Sequence, residues 1–218
     1  TDQFLIMTQN GSLTIGKRQI TLKSESAEKE YDGSALTADD VTVSGDGFAS
    51  GEGADFDVSG RQTVVGISAN TFTYTLREGT DAGNYSITVS YGSLNVTGRG
   101  TQYSIQVEAS SDSVLYDGME HTVSGLKNTQ FSVNNHVYTV RGLTASGAGT
   151  HAGTYAVAVT GTAVVTDEEG NDVSDQFAVS AVSGSLTIRP RTVCLLSASE
   201  SRMYNGRALA NAEIIVSG

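Results

Sequence analysis

Apolar and polar residues alternate along many short stretches of this chain. A period of two is typical of β-strands that have one face buried and the other in water. Five such stretches lie in the first half of the chain, at 19–23, 41–43, 71–75, 85–89 and 93–96. Four more lie in the second half, at 137–140, 155–159, 163–165 and 185–188. No stretch of ten or more residues combines helical spacing with a cap, so the pattern predicts an all-β protein.

Two short strings recur along the chain. Tyr-Asp-Gly occurs at 31–33 and 116–118, and Tyr204-Asn205-Gly206 is a near-copy. Gly-Ser-Leu occurs at 11–13, 92–94 and 184–186, about 20 residues upstream of each tyrosine. The tyrosines are 85 and 88 residues apart. A regular period of this kind indicates one module copied in tandem.

The repeats predict where each copy begins and ends. Residues 17–97 and 98–188 are expected to be two complete repeats, and alignment of the two matches 42–45 with 139–142. Residues 2–16 match 175–189, so segment 1–16 is expected to be the closing hairpin of a truncated repeat. Segment 189–218 is expected to hold the opening strands of another truncated repeat. The chain opens on Thr1, and we expect it to be an internal piece of a longer protein.

The number of strands in each repeat favours one fold class. Seven or so short strands with frequent turns are typical of an immunoglobulin-like β-sandwich, so we expect tandem sandwich repeats. A β-grasp-like repeat is the alternative, but it requires a helix that the pattern lacks.

The truncated repeats make a separate prediction about exposure. Leu13 and Ile15 near one end, and Val193, Leu195 and Ile215 near the other, alternate as if they faced a missing core. They should be more exposed than their counterparts in the complete repeats, which are Leu94, Val96, Leu186 and Ile188. If the repeat frame is shifted instead, Leu13 and Ile15 should be buried against residues 40–90.

Composition narrows the classes of partner. The 218 residues carry a net charge of −11, which makes nucleic acid and anionic membrane surfaces poor partners. No apolar run approaches the roughly 18–20 residues of a membrane-spanning helix, so we expect no membrane insertion within this segment. Cys194 is the only cysteine, so an internal disulfide is excluded.

Three motifs together carry a family resemblance. They are Tyr-Asp-Gly early in each repeat, Asp172-Val173-Ser174-Asp175-Gln176-Phe177 late in it, and Gly-Ser-Leu-Thr-Ile followed by a basic residue at its close. With them the chain resembles the repeat modules of bacterial surface adhesins called YDG or MBG domains. The resemblance implies a large secreted bacterial protein, often attached to the cell wall, and brings no catalytic residues.

The resemblance implies a non-catalytic function for these repeats. We expect an extracellular stalk that projects or spaces a distal adhesive domain, with neighbouring repeats of the same chain as partners. In the alternative hypothesis the repeats themselves bind a host glycan or protein.

The marker residues are expected to have a structural role. An Asp in this position accepts a hydrogen bond from a backbone amide two residues on, and the following Gly adopts a positive φ. The tyrosine ring should anchor the turn on the core, with the hydroxyls of Tyr31 and Tyr116 buried. A ligand site at the tyrosine is the alternative. The residues concerned are Tyr31, Asp32, Gly33, Tyr116, Asp117, Gly118, Tyr204, Asn205 and Gly206.

Candidate chemistry is sparse elsewhere. The loop at 167–175 holds five carboxylates, and the calcium candidates are Asp167, Glu169, Asp172 and Asp175. The spacing of an EF-hand is absent, so a solvated hairpin tip is the favoured interpretation. His121, His136 and His151 are 15 residues apart and lack the spacing of a metal pair. We expect neither a cofactor nor an enzyme.

Overall fold

A computed structural model describes residues 3–218 of the chain. The first two positions of the predicted segment 1–16 therefore lie outside the described residues. The described chain is all-β, as predicted: it contains strands and two short 3-10 turns, but no α-helix. The helix that a β-grasp repeat requires is therefore missing from residues 3–218. The chain divides into two compact units, Thr1–Gly100 and Thr101–Gly218.

The first unit contains eight strands. A 3-10 turn at Ala82–Asn84 precedes the last two. The strands are β1 (Arg18–Ser24), β2 (Ala27–Glu30), β3 (Val41–Gly45), β4 (Ala54–Val58), β5 (Gly66–Asn70), β6 (Phe72–Leu76), β7 (Tyr85–Ser90) and β8 (Gly92–Thr97).

The opening and closing strands of the first unit pair in parallel. β1 is antiparallel to β3 on one edge and parallel to β7 on the other, which gives the order β3-β1-β7. β2 is parallel to β8, which is antiparallel to β5, and β4 pairs with β6. Ile20 and Leu22 of β1 pack with Phe72 of β6 and Tyr85 of β7 in a buried cluster. This cluster joins the β3-β1-β7 sheet to the β4–β6 pair.

The second unit contains ten strands. A 3-10 turn at Ser174–Gln176 precedes β15. The strands are β9 (Tyr103–Glu108), β10 (Asp112–Leu115), β11 (His121–Ser124), β12 (Gln130–Val133), β13 (His136–Gly149), β14 (Gly153–Thr166), β15 (Phe177–Val182), β16 (Gly184–Arg189), β17 (Cys194–Ser197) and β18 (Ile214–Ser217).

The second unit repeats the parallel pairs of the first. β9 is parallel to β15, and β10 is parallel to β16, as β1 is to β7 and β2 to β8. The register is also the same, because Ile105 lies opposite Val179 as Ile20 lies opposite Ile87. The core includes Val157 of β14 together with Leu186 and Ile188 of β16, all at most 1% exposed. Two distant stretches of the sequence thus fold with one strand-pairing scheme.

The Gly-Ser-Leu strings at 92–94 and 184–186 occupy the same place in their units. At each, the glycine passes close to the bend between the first two strands of the unit. A Cβ added at Gly92 would lie 2.2 Å from the carbonyl oxygen of Glu25, and one at Gly184 would lie 2.0 Å from that of Ser110. Leu94 and Leu186, two residues on, are completely buried. The string recurs because its glycine lets β8 or β16 pass the bend between the first two strands of its unit.

The alignment of 42–45 with 139–142 is wrong. Val41 pairs with Ser24 of β1, and the equivalent bridge in the second unit joins Leu126 to Ala109. Residues 139–141 pair instead with 164–166 inside the long hairpin of β13 and β14. Both segments carry the same Thr-Val-x-Gly pattern, and the pattern alone does not distinguish an edge strand from a hairpin arm.

The two ends of the chain lack the packing of the complete units. Residues 3–17 form no strand, so the hairpin expected at 1–16 is not formed in its described part. A hairpin without further strands to pack against is only marginally stable in water. Leu13, Ile15, Val193, Leu195 and Ile215 are exposed, whereas Leu94, Val96, Leu186 and Ile188 are at most 1% exposed. The predicted contrast is confirmed, and the shifted frame is wrong.

Candidate functional site

The first Tyr-Asp-Gly turn follows β2. The backbone N–H of Tyr31 donates to the carbonyl of Thr97 at the end of β8 (2.9 Å). Asp32 Oδ1 accepts from the N–H of Ser34 (2.8 Å) and from Lys29 Nζ (2.6 Å), and Gly33 has φ of 90°. Burial raises the pKa of Asp32, but the hydrogen bonds from Lys29 and Ser34 outweigh it and hold that pKa at about 2.

The second turn follows β10 and has the same backbone geometry. The N–H of Tyr116 donates to the carbonyl of Arg189 at the end of β16 (2.9 Å). Asp117 Oδ1 accepts from the N–H of Met119 and lies 2.9 Å from His121 Nε2. The hydrogen bond from Met119 and then the one from His121 lower the pKa of Asp117. A histidine thus takes the place that a lysine holds in the first turn.

The third turn repeats the geometry without a carboxylate. Asn205 Oδ1 accepts from the N–H of Arg207 (3.2 Å), and Gly206 has φ of 80°. All three turns therefore contain the hydrogen bond to the residue two positions on and the positive φ that the sequence predicts. We predicted that these turns have a structural role and do not bind a ligand, and this stays a prediction.

The tyrosines of the three turns differ in exposure. Tyr31 is 1% exposed, whereas Tyr116 is 36% and Tyr204 is 96% exposed. The near-complete burial of Tyr31 agrees with the predicted burial of its hydroxyl, whereas the Tyr116 residue is partly exposed and the burial of its hydroxyl stays a prediction. The Tyr-Asp-Gly string is the same in both turns, so the string alone does not set the exposure of its ring.

A groove of about 440 Å³ lies beside Tyr116. It is lined by Tyr116, His151, Ala152, Pro190, Arg191 and Val193. An aromatic face next to an imidazole and a guanidinium is the type of surface that a sugar or a peptide side chain can contact. This groove is the strongest candidate for ligand binding at a marker tyrosine.

The acidic loop does not bring the calcium candidates together. Asp167 accepts hydrogen bonds from the backbone and side-chain N–H groups of Asn171, and Asp172 accepts from Ser174, which lowers its pKa. The carboxylates of Asp167 and Asp172 thus satisfy amides of their own turn. Within residues 3–218, no three His, Cys, Asp or Glu side chains are placed to hold a metal ion, and this includes Glu169 and Asp175.

Two buried polar contacts were not predicted from the sequence. Tyr85 donates to Glu52 Oε2 (2.5 Å) and accepts from the N–H of Ala49 (3.0 Å); burial and Glu52 raise its pKa. Asn70 is completely buried and donates to the carbonyls of Glu25 (2.9 Å) and Ala38 (2.8 Å). A polar residue inside an alternating pattern does not reveal which face of the strand it occupies, so the sequence held no signal for Asn70.

The basic residue after β8 contacts the first turn. Arg99 donates to the carbonyl of Tyr31 (3.0 Å) and lies 3.7 Å from Glu30. This contact fastens the end of the closing strand to the marker turn of the same unit.

The chain matches no family model, no curated protein and no solved structure. Within the part of the chain that the structure describes, no helix has the length and apolar character needed to cross a bilayer.

Proposed function

We propose that this chain is a non-catalytic stalk segment of a secreted bacterial surface adhesin, built from tandem immunoglobulin-like β-sandwich repeats. The observation that carries the proposal is the recurrence of one strand-pairing scheme and one turn in successive copies. In each complete unit the backbone N–H of the marker tyrosine fastens the turn to the closing strand of the same unit. Repetition of a structural unit supplies length or spacing rather than chemistry.

The proposed location is the bacterial cell surface, with attachment to the cell wall. The resemblance to YDG and MBG modules supports this location. Antibodies raised against the chain should label intact cells of the source bacterium, and mild protease treatment of those cells should remove the label. If labelling required permeabilised cells, the surface location would be wrong.

The alternative function is binding of a host glycan or protein by the repeats. The observation that favours it is the groove beside Tyr116, because an exposed tyrosine borders histidine and arginine side chains there. If the groove beside Tyr116 binds a ligand, the first turn cannot bind one in the same way, because Tyr31 is only 1% exposed.

Arrays of glycans and of extracellular host proteins, probed with the full chain, separate the two functions. The stalk proposal predicts no specific binding at micromolar concentrations. Binding that is lost in Tyr116→Ala but retained in Tyr74→Ala would favour the alternative. Tyr74 is a matched control because it is also 36% exposed and lies outside the marker turns.

A further inference from the structure

In the first unit, the first two strands and the last two strands form one continuous parallel ladder. β1 pairs with β7, and β2 pairs with β8. Both pairs have the same register, because Arg18 lies opposite Tyr85 and Glu30 lies opposite Thr97, each 67 positions later. The register therefore does not slip where the chain passes from β1 to β2 and from β7 to β8.

The second unit contains the same ladder. β9 pairs with β15 and β10 pairs with β16, and each partner lies 74 positions later, as Phe177 lies opposite Tyr103. Each ladder thus has an opening run of chain on one side and a closing run on the other. The opening runs are 18–30 and 103–115, and the closing runs beside them are 85–97 and 177–189.

Serine side chains continue the ladder across the bend between the two strands of the opening run. Ser24 Oγ accepts from the N–H of Gly92 (3.0 Å), and Ser26 Oγ accepts from the N–H of Ser93 (2.9 Å). The second unit repeats the later bond, from the N–H of Ser185 to Ser111 Oγ (3.0 Å). Hydrogen bonds therefore join the two runs at the bend as well as along the strands.

Further contacts fasten the ladder of the first unit where the chain leaves it. Asn95 Nδ2 donates to Glu28 Oε2 (2.7 Å), and the N–H of Gly100 donates to Glu30 Oε1 (2.7 Å). Arg99 also contacts the marker turn there. The end of the closing run is thus held to the opening run by side chains in addition to the backbone.

The direction of the ladder decides how it responds to tension. The chain enters the first unit at the start of the opening run and leaves it at the end of the closing run. Tension along the chain therefore draws the two parallel runs in opposite directions, along the ladder. Shear of this kind loads the hydrogen bonds between the runs together, whereas a strand peeled from one end loses its bonds one at a time. Forced unfolding is governed by the unfolding rate, which is lower when many bonds must break together.

We propose that this parallel ladder is a force-bearing clamp, which keeps each complete unit folded while the chain is under tension. The role rests on the proposed stalk function, because a segment that tethers an adhesive domain to a cell is pulled along its length. The clamp adds mechanical resistance to the length that the units supply. Its resistance depends on the direction of pulling, which makes it measurable in a single unit.

Single-molecule pulling of the full chain tests the clamp in the direction of the stalk. Handles are attached through Lys17→Cys and Gly100→Cys in a Cys194→Ser background, because Cys194 is the only native thiol and is exposed. Lys17 and Gly100 are exposed, and a Cβ at Gly100 would approach only Glu30 Oε1, at 3.7 Å. These handles shear the ladder of the first unit without loading the second.

The matched control pulls the same unit in another direction. Its handles are attached through Val65→Cys and Gly100→Cys in the same background. Val65 is exposed and precedes Gly66, which lies opposite Val96 in the antiparallel pair of β5 and β8. Both handles are then at one end of that pair, so tension peels its strands apart. At equal pulling speed, the shear handles should require a force higher by about twofold or more than the peeling handles.

Two serine variants test whether the load passes through the bend. With the shear handles, Ser26→Ala should unfold about fourfold faster at constant tension, because the ladder loses one hydrogen bond. Ser59→Ala is the matched control. Ser59 is also exposed and lies within hydrogen-bond distance of Thr71, but it is outside the ladder, so its rate should not change.

Two outcomes would overturn the clamp. Shear handles that unfold the unit at the same force as the peeling handles, or at a lower one, would show that the ladder does not carry the load. Equal unfolding rates for Ser26→Ala and Ser59→Ala would contradict the load path through the bend. Neither outcome bears on the stalk function, because a mechanically weak unit can still space an adhesive domain from the cell, and surface display measures that spacing separately.

Discussion

At the residue scale, the three marker turns keep one interaction and vary the rest. The side-chain oxygen at the second position accepts the amide two residues on in all three. Its side-chain partner changes from Lys29 in the first turn to His121 in the second, and in the third turn the carboxylate is replaced by the amide of Asn205. A turn that tolerates these changes needs an acceptor and a positive φ rather than a particular charge. That requirement is conformational, which fits a structural role.

The pKa of Asp32 predicts a pH-dependent contribution to stability. Because its pKa falls to about 2 on folding from an ordinary value of 3.8, the contribution is complete above about pH 4.5 and declines as pH falls toward 2. Its side chain is 44% exposed, so solvent screening limits the contribution to about 1 kcal/mol or less.

Asp32→Asn keeps a side-chain oxygen that can accept from the N–H of Ser34, but it removes the negative charge. Chemical unfolding should therefore show a difference from the native chain at pH 6 that shrinks as the pH falls toward 2 and is lost below it. A difference that stayed constant over this range would contradict the assignment to the charged form. Lys29→Met is the reciprocal control, and its effect should fade over the same range.

The unequal exposure of the two tyrosines predicts unequal costs of truncation. Tyr31→Ala should lower the free energy of unfolding by about 3–5 kcal/mol, because it removes a fully buried ring. Tyr116→Ala should cost only about 1–2 kcal/mol, because part of its ring already contacts water. Urea unfolding followed by circular dichroism measures both. If both substitutions lowered the free energy of unfolding equally, the difference in exposure between Tyr31 and Tyr116 would not reflect a difference in packing.

The sequence could predict the turn chemistry but not the environment of each ring. Tyr-Asp-Gly encodes its own hydrogen bond and its own φ, which are local properties. Tyr116 shares a groove with Pro190 and Val193, and the string contains no information about these residues. Asn70 occupies a buried position for the same reason: its partners, Glu25 and Ala38, are distant in sequence.

At the element scale, alternation located strands but not their partners. The patterns at 19–23, 85–89 and 185–188 correspond to β1, β7 and β16. β1 pairs in parallel with β7, which lies more than 60 residues later in the chain. The alternating pattern of neither strand predicts this pairing. The patterns at 155–159 and 163–165 are one continuous strand, β14, because Gly161 carries the chain across with φ of 107°. Gly161 is therefore a bend within one strand rather than a break between two strands.

The backbone at Gly60, after β4, passes so close to Asn70 of β5 that a larger side chain should not fit there. A Cβ at this position would lie 2.1 Å from Asn70 Oδ1 and 2.6 Å from Asn70 Cα, so the backbone would have to move. Gly60→Ala should destabilise the first unit by about 2 kcal/mol or more, by overpacking and by displacement of the buried amide.

Gly100→Ala is the matched control, because its Cβ would approach only Glu30 Oε1, at 3.7 Å. The midpoints of thermal unfolding of the two variants measure the contrast. Similar midpoints would show that Asn70 is not held against the backbone at Gly60.

At the scale of the whole molecule, the same pairing scheme appears wherever enough of a copy is present. Both complete units join their first two strands in parallel to their two closing strands, and β17 pairs with β18 in the register of β1 with β3. The repeat strings predicted this periodicity from the sequence, because each marks a close approach or a turn that every copy needs. The length of β13 and β14 was not predicted, because the alternating runs at 137–140, 155–159 and 163–165 cover only part of these strands.

The most direct test of the stalk function is surface display of a reporter. A binding domain of known specificity is anchored on bacteria through no insert, through residues 17–97, or through residues 17–188, and capture of the cells by antigen-coated beads is measured. The account predicts that capture rises with the number of units, and that an unrelated β repeat of equal length substitutes for them. Capture that is independent of unit number, or adhesion to host glycans or proteins by units displayed without the reporter, would contradict it.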